Sequence, residues 1–171
     1  LQGLGFERGP IDCEVFSLAS LCQFLFSATC NDLNIFCDIG SASTKLVIQW
    51  AGECLFTRET QIGGNEYTKQ IAAYFNLDFT QAETYKMAMH YGQLHDEITA
   101  IVATLHEYLA REIKSCIAEF VNTSRQLPHA FKFARLIMTG GTSRIRGLEE
   151  TLASRLGINT FLLNPLTTPM L

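Results

Sequence analysis

The residues best suited to chemistry lie in one short turn between two apolar segments. The chain runs from apolar residues 35–37 into Asp38, turns through Gly40, Ser41 and two more small residues, and leads out again after Thr44. Such a turn is typical of a β-hairpin, and its small side chains let backbone N–H groups approach an anion such as phosphate. A carboxylate at the end of the first strand could hold the water shell of Mg²⁺, which prefers oxygen ligands. The alternative is an ordinary β-turn in which the aspartate caps its own backbone.

Two further glycine pairs could serve the same site. Gly63 and Gly64 stand where a helix is expected to begin, and Gly140 and Gly141 follow an apolar segment that is typical of a strand. Junctions between strands, loops and helices are where α/β domains bind ligands, because backbone donors and helix N-termini converge there. Three glycine turns and a strand-end aspartate in one domain therefore suggest a nucleotide site.

Hydrophobic periodicity predicts the elements that must position these turns. Thr80, with Glu83 three residues later, predicts a capping box that opens a short helix ending at Met87, and Gly157 ends the last helix. One other helix is predicted to follow residue 15, one runs from the Gly63–Gly64 pair to residue 75, and two more span 94–126 and 147–156. Strands are predicted at 11–15, 34–38, 44–50, 54–60, 133–138 and 159–162. A hairpin turn at 51–53 is predicted to join the strands 44–50 and 54–60. This order predicts an α/β domain with a mixed sheet flanked by helices.

The longest periodic pattern is an apolar stripe within residues 94–126, where apolar residues recur at steps of three and four. It predicts one long amphipathic helix that packs on a sheet or on another helix, with a coiled coil as the alternative. Four histidines, His90, His95, His106 and His129, share no spacing with cysteine or aspartate. We expect them at surface or partly buried positions.

Composition indicates a folded domain and excludes several classes of protein. The 171 residues are 47% hydrophobic and 18% charged, which fits one globular domain. A net charge of −4 without a basic run offers no footprint for nucleic acid or anionic lipid, and no apolar segment predicts membrane insertion or a signal peptide. Six cysteines stand singly in apolar segments, so we expect buried, reduced thiols and a cytosolic compartment. The chain begins with Leu1 and closes in a loose segment, 166–171, so we expect a piece of a longer protein.

Two of the glycine turns resemble known nucleotide-binding motifs. The sequence from Asp38 through Gly40 to Thr44 resembles the second phosphate loop of the actin, DnaK-type chaperone and sugar-kinase ATPase superfamily, and residues 138–148 (MTGGTSRIRGL) resemble its adenosine motif. Their spacing, with residues 57–59 leading into the Gly63–Gly64 pair and a helix, is similar to the PilM family of type IV pilus assembly proteins. Segments 11–19 and 155–165 are PilM-like as well, so the similarity covers residues 3–165. With the long helix, it points to PilM rather than to FtsA or MreB.

The resemblance implies the fold of an actin-like ATPase (ribonuclease H-like) lobe that binds ATP and Mg²⁺. Asp38 would orient water bound to Mg²⁺, Gly40, Ser41 and Thr44 would line the β- and γ-phosphates, and the late glycines would admit adenosine to the backbone. Arg144 would stack on adenine as a planar guanidinium, or else be a solvated residue. The complete set implied for the cofactor is Asp38, Gly40, Ser41, Thr44, Gly63, Gly64, Gly140, Gly141 and Arg144, with Mg²⁺ held through water by Asp38.

One motif of the superfamily is missing from this sequence. Nothing before Asp38 matches a first phosphate loop, since Asp12 is followed by Cys-Glu-Val without a glycine turn. We therefore expect the second lobe of a two-lobed protein. Residues 1–30 would continue from the first lobe, and residues 31–165 would form the second, with core strands at 34–60, a helical insert at 63–126, an adenosine-motif strand and helix at 133–165, and a tail at 166–171.

The resemblance implies a cytoplasmic scaffold protein peripheral to the bacterial inner membrane. Such a protein clamps ATP between its lobes and docks a PilN-like membrane protein, mainly through the missing lobe, along with other pilus assembly proteins. We expect weak or no ATP binding by this piece alone, and at most weak ATPase activity in the whole protein. No residue is a convincing catalytic base. Glu66 could position a water molecule, or it could be an exposed first-turn carboxylate that favours the helix dipole. The alternatives are a nucleotide-free docking module of a secretion-system or MshI-like pilus protein, and half of a small-molecule kinase.

Overall fold

The computed structural model of the chain describes residues 14–25, 33–89, 96–124 and 131–163. The helices in these ranges are α1 (Glu14–Leu25), α2 (Gly64–Phe75), α3 (Phe79–Met89), α4 (Asp96–Thr123) and α5 (Leu148–Leu156). The strands are β1 (Leu33–Ile39), β2 (Thr44–Trp50), β3 (Glu53–Thr60), β4 (Phe133–Thr139) and β5 (Thr160–Leu162). A short 3₁₀ turn, Thr142–Arg144, lies between β4 and α5.

The strands form one mixed sheet in the order β3-β2-β1-β4-β5. The first three are joined as antiparallel hairpins, while β4 lies parallel to β1 and β5 lies parallel to β4. Ala51 and Gly52, which connect β2 to β3, both have positive φ, at 50° and 84°. Two such residues form the tight turn that suits the twist of a two-residue hairpin. The predicted mixed sheet and this hairpin are confirmed.

Apolar residues cover both faces of the sheet because successive side chains of a strand point to opposite sides. On one face, Ile35 and Leu46 belong to the main core, which α4 and α5 cover. On the other face, Phe36 and Val47 pack with Ala19 of α1. A third apolar cluster joins α2, α3 and α4 around Tyr67. The helices therefore form layers on the sheet, as the predicted α/β class requires. The predicted division of the chain at residue 30 stays a prediction.

Two predicted helix starts are wrong. Glu14 and Val15, expected in a strand, are the first residues of α1, and the rest of that expected strand lies outside the described residues. At α3 the capping residue is Asp78 rather than Thr80: the Gln81 N–H donates to Asp78 Oδ1 at 2.8 Å, and the Asp78 N–H donates to Gln81 Oε1 at 3.1 Å. The reciprocal pair is a capping box two residues earlier in the chain. Glu83 cannot serve it because its carboxylate accepts hydrogen bonds from Thr68 and Lys86.

The long helix is confirmed, and its stripe packs inside the domain. Ile98, Leu109, Ile113 and Phe120 of α4 are buried against the sheet and the neighbouring helices. His106 lies on the same stripe and is only 3% exposed, so its expected surface or partly buried position is wrong. The other three histidines lie outside the described residues. No helix in those ranges is long and apolar enough to cross a membrane.

The cysteine prediction holds only in part. Cys37 and Cys116 are buried free thiols, but Cys54 is exposed because β3 lies at the edge of the sheet. Burial raises the pKa of the Cys37 thiol, so that thiol stays protonated and unreactive. The side chains of Cys13, Cys22 and Cys30 lie outside the described residues.

Candidate functional site

The three glycine turns meet at one end of the central strands. Because β1 and β4 are parallel neighbours, they end side by side, with Asp38 opposite Thr139. The turn after β1 and the turn after β4 therefore leave the sheet together. The N-terminus of α2 closes on the first of them: the Gly64 N–H donates to Gly40 O at 2.9 Å, and the Asn65 N–H donates to Ser41 O at 2.7 Å.

Glycine is required at two of these positions because other backbone atoms occupy the space of a side chain. A Cβ on Gly63 would lie 2.7 Å from the carbonyl oxygens of both Gly40 and Ser41. A Cβ on Gly140 would lie 2.4 Å from Ile39 O and 2.6 Å from Asp38 Oδ1, and Gly140 has a φ of +90° that disfavours any other residue. The glycines thus let the three turns pack directly on one another.

A cavity of about 450 Å³ opens beside these turns. Its lining combines the two turns at the ends of β1 and β4 with α3 and the end of β5, and consists of Ser41, Glu83, Lys86, Met87, Thr139, Gly140, Gly141, Thr142, Arg144, Leu162 and Leu163. Gly141 differs from its neighbour, because a Cβ added there would meet no atom within 4 Å. The backbone at Gly141 is therefore open to a ligand.

Four of the predicted site residues line the cavity, namely Ser41, Gly140, Gly141 and Arg144. The other five, Asp38, Gly40, Thr44, Gly63 and Gly64, are not among the lining residues. Thr44 is fully buried, and its hydroxyl donates to Ile62 O at 2.7 Å, which fixes the segment that leads into α2. The structure thus brings all three turns together, and the prediction that these residues bind a nucleotide stays a prediction.

A buried charged cluster beside the cavity was not found by sequence reasoning. Lys86 is 5% exposed, and its ammonium donates to Glu83 Oε2 at 2.7 Å, Thr68 Oγ1 at 3.0 Å and Gly64 O at 3.2 Å. A buried ammonium needs such partners to offset its lost hydration. Lys86 thereby ties α3 to the first turn of α2. Lys86 lies near the end of α3, a short and weakly amphipathic helix, so the sequence pattern does not indicate that this lysine is buried.

The buried histidine belongs to α4 and lies against Tyr67 of α2. His106 and Tyr67 have ring centroids 5.7 Å apart, and neither His106 Nε2 nor Tyr67 Oη has a hydrogen-bond partner among the described residues. Burial lowers the pKa of His106 from 6.5 to about 4, against the weaker opposing effect of Glu150 and Glu107. The imidazole is therefore neutral at pH 7, which suits its apolar surroundings.

The described residues contain no site at which protein side chains alone could ligate a metal ion. No group of three histidine, cysteine or carboxylate side chains there could hold a metal ion. Asp38, half-buried at the end of β1, is a single carboxylate, which suits an ion that keeps most of its own water. Glu66, in the first turn of α2, pairs with Lys69 at 2.6 Å on the surface of the helix.

Comparisons with known proteins identify the fold and the family. Residues 5–170 match the family described as type IV pilus assembly protein PilM. A solved PilM–PilN type IV pilus biogenesis complex is 28% identical, with a TM-score of 0.68, over 98% of this chain and 46% of that one. The ethanolamine utilisation protein EutJ from Carboxydothermus hydrogenoformans is 25% identical, with a TM-score of 0.63, over 90% of this chain and 52% of that one.

A more distant relative supports the fold alone. MreB5 of Spiroplasma citri, solved bound to ADP, is 16% identical, with a TM-score of 0.69, over 95% of this chain and 57% of that chain. The chain thus spans about half the length of these structures and has the fold of an actin-like lobe. With a family match over nearly its whole length, the chain belongs to the PilM family of type IV pilus assembly proteins.

Proposed function

We propose that this chain is the nucleotide-binding lobe of a PilM-like scaffold protein, which clamps ATP together with a first lobe. The observation that carries the proposal is the convergence of three glycine turns on a cavity of about 450 Å³ beside the ends of β1 and β4. Ligands of α/β domains commonly bind where strands end and helices begin. An ADP-bound structure of the same fold adds support.

The lining offers suitable chemistry for a nucleoside and its phosphates. Adenosine would lie against the open backbone at Gly141, with the exposed Arg144 guanidinium on the face of the ring. Glu83 and Lys86, the polar residues that sequence reasoning missed, would face the ribose hydroxyls. The phosphates would extend toward Ser41, and Asp38 would hold a hydrated Mg²⁺ between them and β1.

Several predicted site residues would act by holding the turns rather than by touching the ligand. Gly63 and Gly64 bring the N-terminus of α2 onto the turn after β1, where its first N–H groups bind loop carbonyls. Thr44 holds the segment before α2. We assign this chain no hydrolytic role, and we propose that bound ATP closes the two lobes and fixes a surface for partners.

The proposed setting follows the family. We propose a cytoplasmic protein at the bacterial inner membrane whose partner resembles PilN, since a PilM–PilN complex is among the similar structures. The main partner surface would belong to the first lobe, which this chain does not include. The nucleotide site would set the shape of that surface without forming it.

The test is a calorimetric titration of the full-length protein with ATP and Mg²⁺, using Gly141→Ala as the discriminating variant. Since the new methyl group meets no protein atom within 4 Å, any loss of affinity at an unchanged unfolding midpoint comes from the ligand. We expect saturable binding that Gly141→Ala weakens at least about tenfold, an overpacking penalty of about 1.4 kcal/mol. Ser154→Ala, an exposed change on α5 outside the cavity lining, is the matched control. No binding by the full-length protein would refute the clamp and leave a nucleotide-free docking module.

A further inference from the structure

The carbonyl of Gly40 is a junction between the three turns. It accepts one hydrogen bond from the Gly64 N–H at 2.9 Å and a second from Thr142 Oγ1 at 2.8 Å. A carbonyl oxygen has two acceptor positions, so these bonds use its full capacity. The turn after β1 is thereby held from the α2 side and from the β4 side at the same atom.

Thr142 is well fixed to make this contact. It is 5% exposed, and the 3₁₀ turn that it opens is closed by the Ile145 N–H donating to Thr142 O at 3.1 Å. A Cβ on Gly64 would lie 2.5 Å from Thr142 Oγ1, so the hydroxyl fills the space that glycine leaves free at the start of α2. A hydroxyl has one proton to donate, and Thr142 gives it to Gly40.

We propose that Thr142 is a positioning residue that couples the adenosine side of the site to the phosphate side. The proposal rests on the nucleotide site proposed above. The turn carrying Gly141 and Thr142 touches the nucleoside, and the turn carrying Gly40 and Ser41 faces the phosphates. A nucleoside that orders the turn after β4 also orders the turn after β1, because the Thr142 hydroxyl links the two. The turn that faces the phosphates is therefore in position before the phosphates bind.

Two simpler roles make different predictions. If Thr142 only contacts the nucleoside, its loss weakens the binding of adenosine and the binding of ADP by the same factor. If Thr142 only stabilises the fold, its loss lowers the unfolding midpoint and leaves the relative affinities for the two ligands unchanged. The ratio of ADP to adenosine affinity therefore separates coupling from both.

The experiment measures that ratio in the full-length protein for wild type, Thr142→Val and Thr142→Ser. Valine keeps the shape and removes the hydroxyl, while serine keeps the hydroxyl. We expect Thr142→Val to weaken ADP binding about fivefold more than adenosine binding, the equivalent of one buried hydrogen bond, and Thr142→Ser to restore the wild-type ratio. Equal weakening of both ligands, or a serine variant that behaves like valine, would overturn the coupling. If the valine variant does not fold, Thr142→Ala replaces it in the same comparison.

A second measurement needs no ligand. Hydrogen exchange of the Gly64 and Asn65 amides reports on the turn after β1, because both N–H groups donate to its carbonyls. We expect exchange about fivefold faster in Thr142→Val and wild-type exchange in Thr142→Ser. Unchanged exchange in the valine variant would overturn the coupling even if nucleotide binds. If the wild-type protein binds no nucleotide but exchange is still faster in Thr142→Val than in wild type, the coupling between the turns is retained and only the proposed function is refuted.

Discussion

Replacing Gly140 by alanine should destabilise the protein by about 3 kcal/mol, whereas the same change at Gly141 should not. Gly140 has a φ of +90°, and an L-residue held in a left-handed backbone costs about 1–2 kcal/mol. Its new Cβ would also lie 2.4 Å from Ile39 O and 2.7 Å from Ile39 C, which are backbone atoms at the end of β1. Adding a methyl group there overpacks the turn and forces these atoms to move, which costs about 1–3 kcal/mol. The two terms together give about 2–5 kcal/mol.

Gly141 is the matched control in the next position. Its φ and ψ of −63° and −41° are helical, and a Cβ there meets no atom within 4 Å. Alanine restricts the unfolded chain more than glycine does, so Gly141→Ala should be neutral or stabilise the protein by up to about 1 kcal/mol. The two substitutions add the same methyl group to adjacent residues. The difference between their effects on the free energy of unfolding therefore measures how strongly the geometry of the turn requires glycine at position 140.

Chemical and thermal unfolding of both variants tests this difference. For a chain of this size, 1 kcal/mol corresponds to about 2–4 °C in melting temperature, so Gly140→Ala should melt about 10 °C lower and Gly141→Ala at or slightly above wild type. The free energy of unfolding should be taken from denaturant midpoints with unchanged slopes. A Gly140→Ala variant within about 0.5 kcal/mol of wild type would refute the close packing of the turns. Equal losses in both variants would refute the contrast between the two glycines.

Two further predictions concern buried ionisable groups. Since burial lowers the pKa of His106 from 6.5 to about 4, the unfolded state binds the extra proton in that interval, and stability is lost as the pH falls from 6.5 to 4. Relative to His106→Phe, the wild-type free energy of unfolding should fall by up to about 3 kcal/mol across this range in pH-dependent denaturant titrations, and parallel pH profiles would contradict the buried neutral imidazole. Lys86→Met should lower the free energy of unfolding by about 2 kcal/mol at pH 7. Gly64 O and Thr68 Oγ1 would each lose a buried hydrogen-bond donor, whereas the half-exposed Glu83 would stay hydrated. The same change at the exposed Lys69 should cost less than about 0.5 kcal/mol, and equal losses would show that Lys86 is not held as described.

The convergence of the turns was predictable because it depends on topology. Gly40 and Gly140 each follow an apolar strand, and parallel neighbouring strands end at the same edge of a sheet. The spacing of the sequence could also have found His106. It stands four residues after Val102 and three before Leu109, both buried, so it falls on the apolar stripe of α4. The expectation of a surface or partly buried position rested on the lack of a shared spacing with cysteine or aspartate, which carries no information about burial.

Other features depend on contacts between distant residues. Both Thr80–Glu83 and Asp78–Gln81 fit the capping pattern, and the choice between them follows from Glu83 turning inward to Lys86 and Thr68. No local pattern encodes that choice, because Thr68 belongs to the preceding helix.

The position of the cavity gives a physical reason why the proposed first lobe would be needed to cover it. Its deep side is built from buried or half-buried groups, including Lys86 and Thr142, but Ser41, Gly141 and Arg144 are exposed at its outer side. A phosphate bound beside Ser41 would therefore remain in contact with water, where its attraction to protein charges is weak and screened by salt. Covering that side would remove the water and strengthen each contact with the phosphates. If the proposed clamp is correct, ATP gains its phosphate affinity on closure, and the junction at Gly40 ensures that the loop to be covered is already in place.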